Sequence, residues 1–265
     1  MIDLPLISVI MPCYNSAKYL DNAVRSVIGQ SYENWELLIC DDGSDDGSDK
    51  IAKKWAGNEK RISFFLNQFE KGAPGARNTC LKEARGRYIA FLDSDDEWLP
   101  LKLEKQIKFM ENTKSSFVFG YCENMSEDGK FLSIIKGPME VPFWKLIFCN
   151  FIPCLTVIYD AQILGKVEQP CITRSNDFAL WLSILKHNKC VQARCYPEIV
   201  ARYRVNTYGL SANKLRGIRY YYFCLRRYAD LGILASSACS IIAICFKIMK
   251  SVRYQAYNVI VSKLL

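Results

Sequence analysis

The run Tyr88-Ile89-Ala90-Phe91-Leu92 is apolar throughout and stops abruptly at Asp93-Ser94-Asp95-Asp96. A short strand that is apolar on both faces belongs in a parallel sheet with helices packed on each side. Three carboxylates at its carboxyl end repel one another unless a cation or a donor-rich ligand sits among them. Ligand crevices in open α/β sheets lie at those same strand ends. The cluster therefore points to a cation-assisted site for a phosphorylated ligand. The competing reading is an acid run capping the helix that follows Pro100.

The flanking pattern extends the same architecture. Apolar runs at Leu6–Met11, Trp35–Cys40 and Ile62–Leu66 read as strands, and the segments between them read as helices. Over residues 17–30, Leu20, Ala23, Val24, Val27 and Ile28 fall on one helical face. Residues 72–84 form a further helix, opened by Gly72 and Pro74 and stopped near Gly86. Strand–helix alternation with short connections implies a parallel α/β layer. Beyond Pro100 the spacing predicts a helix over 101–111, a hairpin of 117–123 with 131–135, a strand over 155–159 and a helix over 178–186.

Charge and cysteine content narrow the class. The net charge is +8, and from Lys214 onward the only acid is Asp230 among nine Lys and Arg, so residues 1–213 balance. The basicity sits in the tail, which argues against a folded nucleic-acid-reading surface. Twelve cysteines accompany a single histidine, His187, without a Cys-x-x-Cys pair, so zinc binding is poorly supported. Cys40, Cys122 and Cys190 lie in strand-like runs and read as small hydrophobes. The first residues lack a basic signal-peptide start, and a reduced, cytoplasmic setting is expected.

Three further segments complete the candidate chemistry. Pro12-Cys13-Tyr14-Asn15 ends the first strand with an aromatic suited to stacking on a base, or to packing. Asp41-Asp42-Gly43-Ser44 ends the second, either as a solvated turn or as a carboxylate for a pyrimidine imide N–H. Gly72-Ala73-Pro74-Gly75-Ala76-Arg77-Asn78 offers close backbone approach and a cation for phosphate or base, but neither a P-loop nor a dinucleotide fingerprint.

With Ser8–Asn15, Asp41–Ser44, Gly75–Asn78 and Phe91–Asp96 in this order and spacing, residues 5–215 resemble the family 2 glycosyltransferases. Pro153–Asp160, Asn176–Leu182 and Tyr203–Val205 continue the resemblance, which is nearest to bacterial cell-surface polysaccharide enzymes of the teichuronic-acid type. It implies a GT-A fold: a Rossmann-like α/β nucleotide-diphospho-sugar transferase with a mostly parallel central sheet and a C-terminal helical tail. Residues 1–213 would be the catalytic domain, with 1–100 binding nucleotide and 101–213 binding acceptor. The implied activity is inverting transfer of a hexosyl or N-acetylhexosaminyl group from a nucleotide-sugar, a UDP-sugar, to a hydroxyl of a cell-surface or lipid-linked glycan. Carried over, Pro12, Tyr14, Asn15, Asp41, Asp42, Arg77, Asp93 and Ser94 would bind the nucleotide-sugar. Asp95 would ligate Mn²⁺ or Mg²⁺, Asp177 would be the general base, and Trp181 would face the acceptor. Relatives often carry Glu-Asp where this chain has Asn176-Asp177.

The tail, 214–265, pairs basic clusters with a 16-residue apolar run from Leu231 to Phe246. At about 1.5 Å per residue that run falls short of a bilayer core. Its composition suits an anchor on an anionic membrane surface at the inner face of the cell membrane. Packing on the domain, or oligomerisation, is the alternative. Non-enzymatic nucleotide binding, or nucleic-acid binding through the basic tail, is the rival functional class.

Overall fold

The computed structural model describes residues 4–188, 190–205 and 214–245. The chain runs β1 (Ile7–Cys13), α1 (Leu20–Ile28), β2 (Trp35–Asp41), α2 (Ser48–Asn58), β3 (Ile62–Leu66), α3 (Ala73–Glu83) and β4 (Tyr88–Phe91). It continues with β5 (Glu97–Trp98), α4 (Lys102–Thr113), β6 (Phe117–Met125), β7 (Phe131–Ile135), β8 (Glu140–Val141) and α5 (Phe143–Leu146). After a 3₁₀ turn at Cys154–Thr156 come β9 (Ile158–Asp160), α6 (Ala161–Leu164), α7 (Asn176–His187), β10 (Ala193–Arg204) and α8 (Lys214–Arg227). A last helical run covers 233–245.

The strands form one mixed sheet in the order β3-β2-β1-β4-β9-β6-β10-β5, with β7 on β6 and β8 on β10. The long registers, β1 with β2 and β10 with β6, are parallel, while β9 runs antiparallel between β4 and β6. Alternation along each strand divides the core in two. Ile7, Val9 and Met11 of β1 and Leu37 and Ile39 of β2 meet α1 and α4 on one face. Ile10, Leu38, Cys40, Ile89 and Phe91 meet α3 and α7 on the other. This is the two-sided burial that an unbroken apolar strand demands.

The structure departs from expectation at several places, beyond the short β5, β8, α5 and α6. The segment 155–159 is split by the 3₁₀ turn, leaving only the end of it as strand. The twelve-residue β10 has no counterpart in the sequence reading, because register breaks between Tyr196 and Ile199 and again before Ala201 disrupt its two-residue period. Cys190 is exposed in the turn before β10, whereas Cys40 and Cys122 are buried in strands.

α8 packs on α7, and the 233–245 run lies against α8, where Ser240 and Ala243 meet Ile218 and Tyr221. The Tyr221 ring stacks on Phe178 at 4.7 Å, and its hydroxyl donates to the Ile147 carbonyl at 2.8 Å. Cys224, Leu225, Cys239 and Ala243 join the α7 side of the core. Among the described residues no helix is long and apolar enough to cross a membrane. Phe246 and the residues after it lie outside the described residues.

Candidate active site

The chain steps outward from β1 to β2 to β3, then returns to β4 on the other side of β1. Such a reversal opens a crevice at the strand carboxyl ends. Tyr14, Asp42 and Asp93, from three separate sequence segments, come to line that edge. Pro12 is buried in β1. Tyr14 is 51% exposed at the mouth, with the Lys71 ammonium 5.0 Å from its ring centre. Asn15 adopts a left-handed backbone (φ 48°); its side chain accepts from the Asp45 amide and its own amide donates to Ser44 Oγ, each at 3.0 Å. It ties the two strand-end loops together.

The paired aspartates divide. Asp41 accepts from the Gly43 and Ser44 amides at 3.0 Å and from the Ser44 hydroxyl at 2.5 Å, so its carboxylate braces its own turn. Asp42 accepts from Asn67 Nδ2 at 2.6 Å and from the Gly72 amide at 2.7 Å. A carboxylate holds about four lone-pair sites, so Asp42 retains acceptor capacity while being fixed in place. Gly72 has φ 129°, open to glycine. A Cβ on Gly75 would lie 2.0 Å from the Glu70 carbonyl oxygen, so the loop that presents Asp42 closes onto α3 only with glycine there.

Arg77, on α3, is almost fully buried and reaches both halves of the site. Its Nη2 pairs with Asp93 Oδ1. Its Nη1 donates to Gln169 Oε1 at 3.2 Å and to Asn176 Oδ1 at 3.3 Å. Burial alone would depress its pKa, but the carboxylates of Asp93 and Asp177 hold it up, so the guanidinium is a fixed buried cation. Asn78 braces Gln169 through two hydrogen bonds to its backbone, at 2.9 and 2.7 Å. The arginine expected on the nucleotide side thus joins the β4 carboxylate to the start of α7. Gln169 escaped the sequence reading, since its partners lie about ninety residues away in sequence and its own segment is irregular.

The rest of the Asp93–Asp96 turn is held from within. Ser94 is buried and donates to Ser16 Oγ at 2.7 Å. Asp96 accepts from the Arg204 amide at 2.7 Å, and its Oδ2 is buried without a partner. Burial first, then the charges of Asp95 and Asp93, holds the Asp96 carboxyl well above the usual range. Arg204 clamps the turn through the Asp95 carbonyl and Glu97 Oε1, both at 2.9 Å. The acid run does not cap α4, whose N-cap is Leu101. Among the described residues no three His, Cys, Asp or Glu side chains converge on one position. Hard carboxylate oxygens on this turn fit Mg²⁺ or Mn²⁺ held by one or two carboxylates, with phosphate and water completing the shell.

Asp177 lies in the first turn of α7, behind the left-handed N-cap Ser175 (φ 56°), so it is not itself the cap. Asn150 Nδ2 donates to its Oδ2 at 3.1 Å, and Asn150 is oriented by accepting from the Ile152 amide at 3.1 Å. Burial pushes the Asp177 carboxyl above its ordinary value. The Phe178 amide, the charge of Arg77 and Asn150 offset part of the rise, and Asp93 adds to it. Trp181 corrects the sequence reading. It is 0% exposed and packs on Phe91 and Phe117 at ring separations of 5.7 and 5.3 Å, so it is core and not an acceptor-facing surface. Only the first turn of α7 reaches the site, because Phe178 to Leu182 are all buried.

The mixed sheet and its carboxylate-lined crevice define a GT-A-type transferase scaffold. The Staphylococcus aureus TarS fragment 1–349 in complex with UDP-GlcNAc has this fold, with a TM-score of 0.66 at 19% identity over 88% of this chain and 70% of that one. So does the mannosyltransferase PcManGT from Pyrobaculum calidifontis in complex with GDP-Man and Mn²⁺, with a TM-score of 0.67 at 16% identity over 98% and 81%. Residues 8–151 match the family described as Glycosyl transferase family 2, and the chain belongs to that family as a glycosyltransferase. It is 41% identical over 217 residues to the Escherichia coli UDP-Glc:alpha-D-GlcNAc-diphosphoundecaprenol beta-1,3-glucosyltransferase WfgD, covering 81% of this chain and 83% of that one. It is 37% identical over 236 residues to the putative teichuronic acid biosynthesis glycosyltransferase TuaG of Bacillus subtilis (strain 168), covering 89% and 93%.

Proposed function

We propose that this chain transfers a hexosyl or N-acetylhexosaminyl group from a UDP-sugar to a hydroxyl of a lipid-linked or cell-surface glycan, with inversion and with Asp177 as general base. One observation carries the reading. Asp177 is a carboxyl of raised proton affinity, oriented by Asn150 and joined through Arg77, Gln169 and Asn176 to the Asp93 turn. The names of the WfgD relative and of the TarS complex support a uridine diphosphate donor, and the WfgD name supports a diphosphoundecaprenol-linked acceptor.

Tyr14 and Asp42 would receive the base by stacking and by accepting its imide N–H, with Asp93 toward the ribose. A divalent cation on Asp95, when bound, supplies charge stabilisation to the departing diphosphate. The acceptor oxygen forms the new bond to C1 as the C1–O bond to phosphate breaks and its electron pair leaves on the diphosphate. The hydroxyl proton passes to Asp177, whose raised affinity suits it to that transfer. One displacement inverts the anomeric centre and needs no covalent enzyme intermediate. A lipid-linked acceptor would put the reaction at the inner membrane face, where the tail would meet an anionic surface.

A thermal-shift screen of nucleotide sugars with and without Mn²⁺ tests the donor half. The expected result is a UDP-sugar shift that requires metal and disappears in Asp95→Ala. No shift with any nucleotide sugar would sink the proposal.

A further inference from the structure

The 233–245 helix is packed inside out. Its buried face is small or polar: Ser236, Cys239, Ser240 and Ala243. The serine hydroxyls donate to carbonyls of their own segment, Leu231 at 3.2 Å and Ser236 at 2.7 Å, so the buried face is satisfied without outside partners. Its large apolar side chains point away from the protein. Leu234 is 86% exposed, Ile233 62% and Ile241 61%, and Ala238, Ile242 and Cys245 continue the stripe at helical spacing. Water would not be the expected neighbour of such a face.

The surroundings specify what covers it. On α8, Arg219, Phe223 and Arg227 are exposed. Asp230, the only acid after Lys214, is paired with Lys186. Residues 246–265 add Lys247, Lys250, Arg253 and Lys263 and no acid. An apolar face with exposed arginines beside it, its neighbouring acid Asp230 already paired, is complementary to anionic lipid, with acyl chains for the stripe and headgroups for the arginines. Among the described residues no helix is long and apolar enough to cross a membrane, and one apolar face opposite a protein-packed face suits a helix lying in the plane of the interface.

We propose that the outward face of 233–245 inserts into an anionic lipid surface while Arg219 and Arg227 of α8 engage headgroups, a proposal that rests on the membrane-face reading above. The docking has a consequence for the site. Phe178, one residue after Asp177, stacks on Tyr221 of α8, and Cys224 Sγ lies 3.7 Å from the Ser175 carbonyl oxygen. Lipid bound by the tail would therefore fix the base-bearing turn of α7 relative to the surface that presents a lipid-linked acceptor.

Co-sedimentation of the full chain with phosphatidylcholine vesicles, with and without phosphatidylglycerol, tests this. The wild type should bind only the anionic vesicles, and less at high salt. Leu234→Asp/Ile241→Asp should lose binding by on the order of a hundredfold, taking roughly tenfold for each large apolar side chain withdrawn from lipid. Arg219→Glu/Arg227→Glu should lose the preference for phosphatidylglycerol. The melting temperature and the metal-dependent donor shift of both variants should match the wild type, since all four positions face outward. Unchanged binding in the apolar variant would overturn the insertion face while leaving membrane binding intact. No binding by the wild type would overturn both. A wild-type dimer in light scattering that the apolar variant dissociates, with no effect on vesicles, would assign the face to a second copy and overturn the proposal.

Discussion

Arg77→Met removes the buried cation that ties the Asp93 carboxylate to the start of α7. Breaking a buried pair by deleting one partner costs about 3–5 kcal/mol, because the other charge is left uncompensated. Two features of this pair put the cost near the lower end. The Asp93 side chain is 35% exposed and regains water once Arg77 is gone. Arg77 Nε is itself buried without a partner, so the guanidinium is not fully satisfied to begin with. Asn176 Oδ1 keeps the Gln169 amide at 3.0 Å, which limits the collateral loss. At about 3 kcal/mol, and about 2–4 °C per kcal/mol for a chain of this size, the melting temperature should fall by roughly 6–12 °C. A double-mutant cycle with Asp93→Asn, read by denaturant unfolding, should return a coupling of about 1–3 kcal/mol. Arg77→Met at less than about 1 kcal/mol, with no coupling to Asp93, would refute the claim that this pair joins the two halves. Arg77→Lys should recover part of the stability but not the forked contact to Asp93, Gln169 and Asn176.

Asp177→Asn should cut turnover by roughly 10²–10⁴, the usual contribution of a positioned base, while leaving donor binding in place. Since the folded pKa of Asp177 is raised, ionising it opposes folding: its stabilising contribution is complete below the unfolded pKa and is lost as pH rises through the folded one. The Asn variant should therefore melt above the wild type at neutral pH and lose that advantage in acid, and the acid limb of the wild-type rate profile should lie above the ordinary aspartate range. A melting temperature lowered by the substitution at neutral pH would contradict the burial argument. Gly75→Ala forces a Cβ to within 2.0 Å of the Glu70 carbonyl oxygen, so the 70–72 loop must move. The expected cost is about 1–3 kcal/mol, with weakened UDP-sugar affinity because Gly72 no longer fixes Asp42. Wild-type affinity in a folded Gly75→Ala protein would show that the loop does not position that carboxylate.

What could be read from the sequence was what local periodicity encodes. The unbroken apolar runs of β1, β2 and β4 required two covered faces, which the sheet has, and Asp42 and Asp93 follow the carboxyl ends of β2 and β4. The site's supports were illegible for the opposite reason. Asn150 and Gln169 lie in irregular chain, and their roles depend on contacts with Asp177 and Arg77 that no spacing rule encodes. Trp181 was carried over with the Asn176–Leu182 stretch of the family resemblance, which does not say which way a side chain on α7 points. Past its first turn, α7 packs against Phe91 and Phe117 and is covered by α8. The tail's apolar content was plain in sequence, but not that its small residues face the protein and its large ones face out.

Asn176 explains how the two halves are held in register. Its Oδ1 accepts from both Arg77 at 3.3 Å and Gln169 at 3.0 Å, so it helps orient the guanidinium without competing for its charge. Asp93 is then left as the carboxylate in ion-pair contact with Arg77. A carboxylate at 176 would draw Arg77 toward α7 and loosen Asp93. It would also set a second negative charge beside Asp177, raising a proton affinity that burial and Asp93 already lift. With a neutral amide there, Arg77 stays between the Asp93 turn and Asp177 and lowers the charge cost at both.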